Sequence, residues 1–190
     1  MDNAIIVVSG LPRSGTSLLM QMLDRGGVGL VTDEQRLADE DNPKGYCEYE
    51  PVKRLQQDSS WLSDCQGKAV KVISQLLFSL PATENYAIIL MQRDLEEVLD
   101  SQDKMLARQG RAGAAREILR KAFASHLQKL EQWLPAQKNL KVLRLDYAEL
   151  VTDPLSAAME LNEFLGGHLD ATAMSAAVDP QLYRNRRDSS

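Results

Sequence analysis

Gly10-Leu11-Pro12-Arg13-Ser14-Gly15-Thr16-Ser17 packs two glycines, one cation and three hydroxyls into eight residues. It follows a β-branched apolar run, Ala4-Ile5-Ile6-Val7-Val8, and precedes a helical pattern, Leu18-Leu19-Met20-Gln21-Met22-Leu23. A glycine loop between a strand and a helix turns its N–H groups into one concavity, and the helix N-terminus adds partial positive charge. The guest such a loop takes is an anion. Against the nucleotidase pattern G-x-x-x-x-G-K-[ST], Gly10, Gly15 and Ser17 fall in place, but Thr16 stands at the lysine position and the cation has moved to Arg13. The loop therefore lacks the ammonium that bridges the transferring phosphate in an ATPase. The plainer alternative is a Gly/Pro turn joining a buried strand to a helix.

A second stretch, Met91-Gln92-Arg93-Asp94-Leu95-Glu96-Glu97-Val98-Leu99-Asp100-Ser101, has the same strand-to-helix character. Asp94-x-x-Glu97 has the form of a capping box, so the helix starts there. Arg93 then lies at the carboxyl edge of a sheet, where α/β proteins bind ligands. Ser101 follows two turns along, on the face of the N-cap. An arginine and a hydroxyl so placed can converge on one phosphate; an exposed, charged helix start is the alternative. A third stretch, Gly67-Lys68-Ala69-Val70-Lys71-Val72-Ile73-Ser74, places Lys71 near a strand end. Lys71 either faces the site or snorkels away from it.

The loop P-R-S-G-T-S resembles the 5′-phosphosulfate loop of the sulfotransferases, P-[KR]-S-G-T-[TS], which bind 3′-phosphoadenosine 5′-phosphosulfate (PAPS). The resemblance implies that Pro12, Arg13, Ser14, Gly15, Thr16 and Ser17 hold the 5′-phosphosulfate. The second stretch is similar to that family's 3′-phosphate motif, R-D-P-x-D-x-x-x-S, with Leu95 in place of the proline; Arg93 and Ser101 would read the 3′-phosphate. Lys71 matches the family's strand lysine, which would neutralise the bridging oxygen as the sulfuryl group leaves. Leu143-Arg144-Leu145-Asp146-Tyr147-Ala148-Glu149-Leu150 with Asp153-Pro154 and Glu163-Phe164-Leu165-Gly166 resembles a further strand and helix of the family, of structural character. The basic tail around Tyr183-Arg184-Asn185 either returns Arg184 to the 3′-phosphate, as family members often do, or is simply solvated.

The catalytic base is the point of departure. Ile73 occupies the place of the histidine that cytosolic sulfotransferases carry two residues after the lysine. His126, in a long amphipathic pattern, and His168, after a Gly-Gly break, read as structural or exposed. Membrane-bound relatives use a glutamate, which draws attention to the aperiodic stretch from Thr32 to Glu50. Long irregular segments are often functional, and Glu34 and Glu48 are its candidates for the base; a solvated acidic lid is the plainer reading for both.

The elements that must position these residues follow from hydrophobic pattern. Ala4 to Ser9, Lys68 to Ile73, Tyr86 to Met91 and Leu140 to Leu145 read as buried strands, with a fifth near Val28 to Val31. Helical patterns alternate with them. The fold class expected is α/β: a three-layer P-loop fold with a central, mainly parallel sheet of four to five strands and helices on both faces. One domain over residues 1–190 is expected from the length of 190 residues. A net charge of −5 disfavours a general nucleic-acid binder. No apolar run is long enough to span a membrane and no signal peptide is visible. Cys47 and Cys65 fit neither a zinc site nor a redox pair, so a reducing cytoplasm is the expected setting.

The function expected is transfer of a sulfuryl group from PAPS, without a metal, to a small-molecule or peptide acceptor bearing a hydroxyl or amine. Two rivals remain open. One is a magnesium-dependent nucleotide kinase or NTPase with a degenerate loop, its metal carboxylate being Asp146. The other is a non-catalytic nucleotide-binding protein of the same fold. Neither the acceptor nor the oligomeric state is specified by these motifs.

Overall fold

A computed structural model describes residues 3–33, 45–111 and 113–179. Five parallel strands form one sheet in the order β2-β3-β1-β4-β5: β1 Ile5–Gly10, β2 Leu30–Val31, β3 Ala69–Lys71, β4 Tyr86–Gln92 and β5 Leu140–Asp146. Among the described residues six α-helices surround it: α1 Thr16–Arg25, α2 Leu95–Arg108, α3 Arg116–Trp133, α4 Tyr147–Thr152, α5 Pro154–Phe164 and α6 Ala171–Ser175. The expected α/β class, parallel sheet and fifth strand are all present.

Every residue of β1 is buried, which its unbroken apolar run requires of a strand covered on both faces. Ile6 and Val8 face a core formed with Leu19, Met20, Leu23, Leu150, Ala158 and Leu161, from α1, α4 and α5. Ile5 and Val7 face the other core, with Leu62, Val70, Leu77, Leu130 and Leu134. Leu11, Val98, Leu99 and Phe123 form a smaller cluster that fastens α2 and α3 beside the phosphate loop.

Parallel strands put all their carboxyl ends on one edge. Val8 pairs with Lys71, Gly10 with Met91, and Gln92 with Asp146. The loop after β1, Lys71 of β3, Arg93 after β4 and Tyr147 after β5 are therefore neighbours along that edge. β1 is flanked by β3 on one side and β4 on the other, so the chain leaves it in both directions, as at the ligand crevice of open α/β sheets.

β3 is shorter than the expected Lys68 to Ile73. The chain leaves the sheet after Lys71 and enters a 3-10 turn over Ser74–Ser79, leaving Ile73 43% exposed. Among the described residues no helix is long and apolar enough to cross a membrane. Cys47 and Cys65 are free thiols.

Candidate active site

The loop is shaped by backbone conformations that side chains resist. Gly15, the N-cap of α1, has φ 103. A Cβ at this position would lie 2.7 Å from Tyr147 Cε2 and closer still to Cδ2. A Cβ at Gly10 would lie 2.8 Å from the Met91 carbonyl oxygen. Both glycines thus permit close approach, one to a ring and one to β4. Arg13 takes φ 70 without being glycine, a conformation that neighbouring contacts must hold.

α1 starts with no side-chain cap and no acidic residue in its first turn. Its N-terminal N–H groups and partial positive charge are thereby presented to the loop concavity. Ser14 is 1% exposed and its hydroxyl has no hydrogen-bond partner among the described residues. A buried hydroxyl without a partner costs free energy unless a ligand or water satisfies it. Both features suit an anion. α2 is built the opposite way: Asp94 caps it, accepting from the Glu97 N–H at 3.0 Å, and Glu96 and Glu97 fill its first turn.

Two clusters flank the start of α1. On the β4 side, Arg13 Nε donates to Ser101 Oγ at 3.1 Å. An Arg93 Nη donates to the Arg13 carbonyl at 3.0 Å, and Arg93 Nε pairs with Glu97 Oε2 at 3.0 Å. The Arg93 and Glu97 side chains are only 8% and 6% exposed. The Arg93 guanidinium also lies 4.5 Å from the centre of the Tyr147 ring. Arg13 and Ser101, expected at opposite phosphates, are joined here by one hydrogen bond.

On the β3 side, the Lys71 ammonium and the Ser17 hydroxyl both donate to the Tyr46 carbonyl oxygen, Ser17 at 3.2 Å. Lys71 also pairs with Glu48 Oε1 at 3.7 Å. Lys71 is only 8% exposed, so it faces the site rather than snorkelling from it. Cys47, at φ 49, makes the turn that lets the Tyr46 carbonyl and the Glu48 carboxylate both reach one ammonium. Thr32 Oγ1 donates to the Glu48 carbonyl at 2.9 Å, which pins this segment to the end of β2. Burial pushes the Cys47 thiol up from its ordinary pKa, with nearby Lys71 opposing, so the thiol form prevails.

Of the residues expected at the site, Arg13, Ser14, Gly15, Thr16, Ser17, Lys71, Glu48, Arg93 and Ser101 gather around the loop with Pro12. Glu34 and Arg184 lie outside the described residues. Tyr147, in a stretch whose sequence resemblance is of structural character, packs against both the loop glycine and Arg93. Asp146, the carboxylate a magnesium-dependent rival needs, accepts the Ala148 and Glu149 N–H groups at 2.8 and 3.1 Å and so caps α4. His126 is half-buried and bonds Ser74 Oγ at 2.9 Å.

The profile of the sulfotransferase domain family matches residues 3–188. The chain belongs to that family. No curated protein matches it. Among solved structures, it is similar to the sulfotransferase domain of the Synechococcus PCC 7002 olefin synthase, at 14% identity and TM-score 0.58, covering 99% of this chain and 90% of the other. It is also similar to the sulfotransferase domain from the curacin biosynthetic pathway, at 14% identity and TM-score 0.53, covering 95% and 89%. At that identity these likenesses speak to the fold, which they share across nearly the whole chain. Family membership comes from the sequence profile and agrees with the paired loop and helix motifs.

Proposed function

We propose that the protein transfers a sulfuryl group from PAPS to a hydroxyl or amine of a small-molecule or peptide acceptor. The observation that carries this reading is the convergence of Arg13, Lys71 and Arg93 on an uncapped helix start beside a buried, unpartnered Ser14 hydroxyl. Such a set fits a ligand with two anionic groups: donors from the loop for one, and the arginine and hydroxyl of the β4 side for the other. PAPS supplies a sulfuryl group already carried on a phosphate, which is a competent leaving group.

Each residue then has a role that its chemistry allows. Arg13 with the N–H groups of residues 14–17 holds the 5′-phosphosulfate. Arg93 and Ser101 hold the 3′-phosphate, with Arg184 a further cation for it. Lys71 stabilises negative charge that develops on the oxygen being left behind, which a fixed cation in a largely buried setting does efficiently. Sulfuryl transfer passes through a loose, charge-spread transition state, so positioned donors contribute more than covalent chemistry.

Glu48 is the proposed general base. It is within 3.7 Å of Lys71, and its backbone is pinned by Thr32. It would accept the proton of the attacking hydroxyl or amine as the new bond to sulfur forms and the bond to the phosphate oxygen breaks. Glu34 is the alternative base.

Incubation of labelled PAPS with a panel of phenols, alcohols, amines and tyrosine peptides tests the reading. The account expects label on at least one acceptor, with equal release of adenosine 3′,5′-bisphosphate and no requirement for magnesium. Glu48→Gln should lower kcat about 10²–10⁴-fold, the usual contribution of a general base, with little change in KM for PAPS. Full activity in Glu48→Gln would transfer the base to Glu34 or elsewhere. Tight PAPS binding with no transfer to any acceptor would favour a non-catalytic binder.

A further inference from the structure

Tyr147 stands just past the carboxyl end of β5, where Asp146 caps the short α4. It is only 6% exposed, and its ring has two neighbours of functional consequence. One is Gly15, whose missing side chain leaves the space the ring fills. The other is Arg93, whose guanidinium lies over the ring face at 4.5 Å. A guanidinium held over a ring face still has N–H donors free to meet other partners. Here those donors meet the Glu97 carboxylate and the Arg13 carbonyl. One ring therefore bears on the N-cap of α1 and, through Arg93, on the strained Arg13 of the same loop. The first contact limits how far the loop can move toward β5. The second helps to hold the Arg93 guanidinium in place beside the loop.

We propose that Tyr147 is a positioning residue of the anion site: its aromatic ring sets the phosphate loop and Arg93 in register, and binding of a 3′,5′-bisphosphate depends on that ring. The proposal rests on reading the site as one for two nucleotide phosphates. It assigns Tyr147 a role through Gly15 and Arg93, separate from chain stability.

The test is titration calorimetry of the full chain with adenosine 3′,5′-bisphosphate and with AMP, after circular dichroism has shown each variant folded at the working temperature. Tyr147→Phe keeps the ring and should bind the bisphosphate within about twofold of wild type. Tyr147→Leu removes the face and should weaken it about tenfold, the scale of one desolvated cation–π contact. Tyr147→Met fills similar volume without a ring and replaces the leucine variant if that one is unfolded. A double-mutant cycle with Arg93→Lys completes the test, since lysine keeps the charge but not the planar guanidinium. The combined variant should lose clearly less than the sum of the two single losses, because both remove the Arg93–Tyr147 contact.

Wild-type affinity in a folded Tyr147→Leu or Tyr147→Met would overturn the positioning role. So would equal losses in Tyr147→Phe and Tyr147→Leu, which would assign the effect to the hydroxyl, and so would additive losses in the cycle. Failure of the wild-type protein to bind the bisphosphate would overturn the nucleotide reading itself, an outcome distinct from the other three.

Discussion

Arg93, proposed above as a 3′-phosphate ligand, is also part of the buried framework of the fold. Its partner Glu97 is buried, and removing one member of a buried pair leaves the other charge uncompensated. Arg93→Ala should therefore cost about 3–5 kcal/mol of unfolding free energy, read from urea denaturation. A loss below about 1 kcal/mol, the range of surface pairs, would show that Glu97 is solvated in the native protein. Ligand studies are better served by Arg93→Lys, which keeps a charge beside Glu97. At this scale the sequence exposed the ionic side chains by type and spacing. It did not expose how they share partners. The Arg13–Ser101 contact joins residues 88 positions apart, and the Tyr147 contacts join the end of β5 to the loop after β1. Such contacts depend on strand order, which local pattern does not encode. Glu48 is one of two candidates in an aperiodic stretch, and its approach to Lys71 goes with a positive-φ turn at Cys47 that has no local pattern to read.

At the scale of elements, strands and helices with a clear period were legible to within a residue or two. The 3-10 turns at Glu50–Arg54, Ser60–Cys65 and Ser74–Ser79 were not, because so short a turn has no repeating pattern to read. The last of these is tied to α3 by the bond between His126 Nε2 and Ser74 Oγ, with Phe78 edge-on to the imidazole at 5.8 Å. Burial, reinforced by nearby Lys129, holds the imidazole below its ordinary pKa of 6.5. The folded protein therefore resists protonating His126. The stability this contact contributes is fully present above pH 6.5 and is lost as pH falls toward and through the lowered native value. Melting curves from about pH 8 to about pH 5 should show a steeper decline for wild type than for His126→Gln, which does not titrate. Parallel curves would mean that His126 is equally easy to protonate in both states.

For the molecule as a whole, parallel strands in the order β2-β3-β1-β4-β5 bring four chain segments to a single edge, each with at least one residue of the candidate site. Two phosphate-type motifs lie about eighty residues apart in sequence, Arg93 and Arg13 being separated by 80, yet they share a hydrogen bond. The net charge of −5 hides this cluster of Arg13, Lys71 and Arg93, so composition alone disfavours a nucleic-acid binder without indicating a local anion site. The central claim is that the site reads two phosphates on one nucleoside. Calorimetric titration of the wild-type protein with adenosine 3′,5′-bisphosphate, AMP and ATP, each with EDTA and with magnesium, tests it most directly. A charge-assisted hydrogen bond contributes about 1.5–3 kcal/mol, so the bisphosphate should bind roughly ten- to a hundredfold more tightly than AMP, with no effect of EDTA. Equal affinity for AMP and the bisphosphate, or tight binding of ATP only when magnesium is present, would contradict the account.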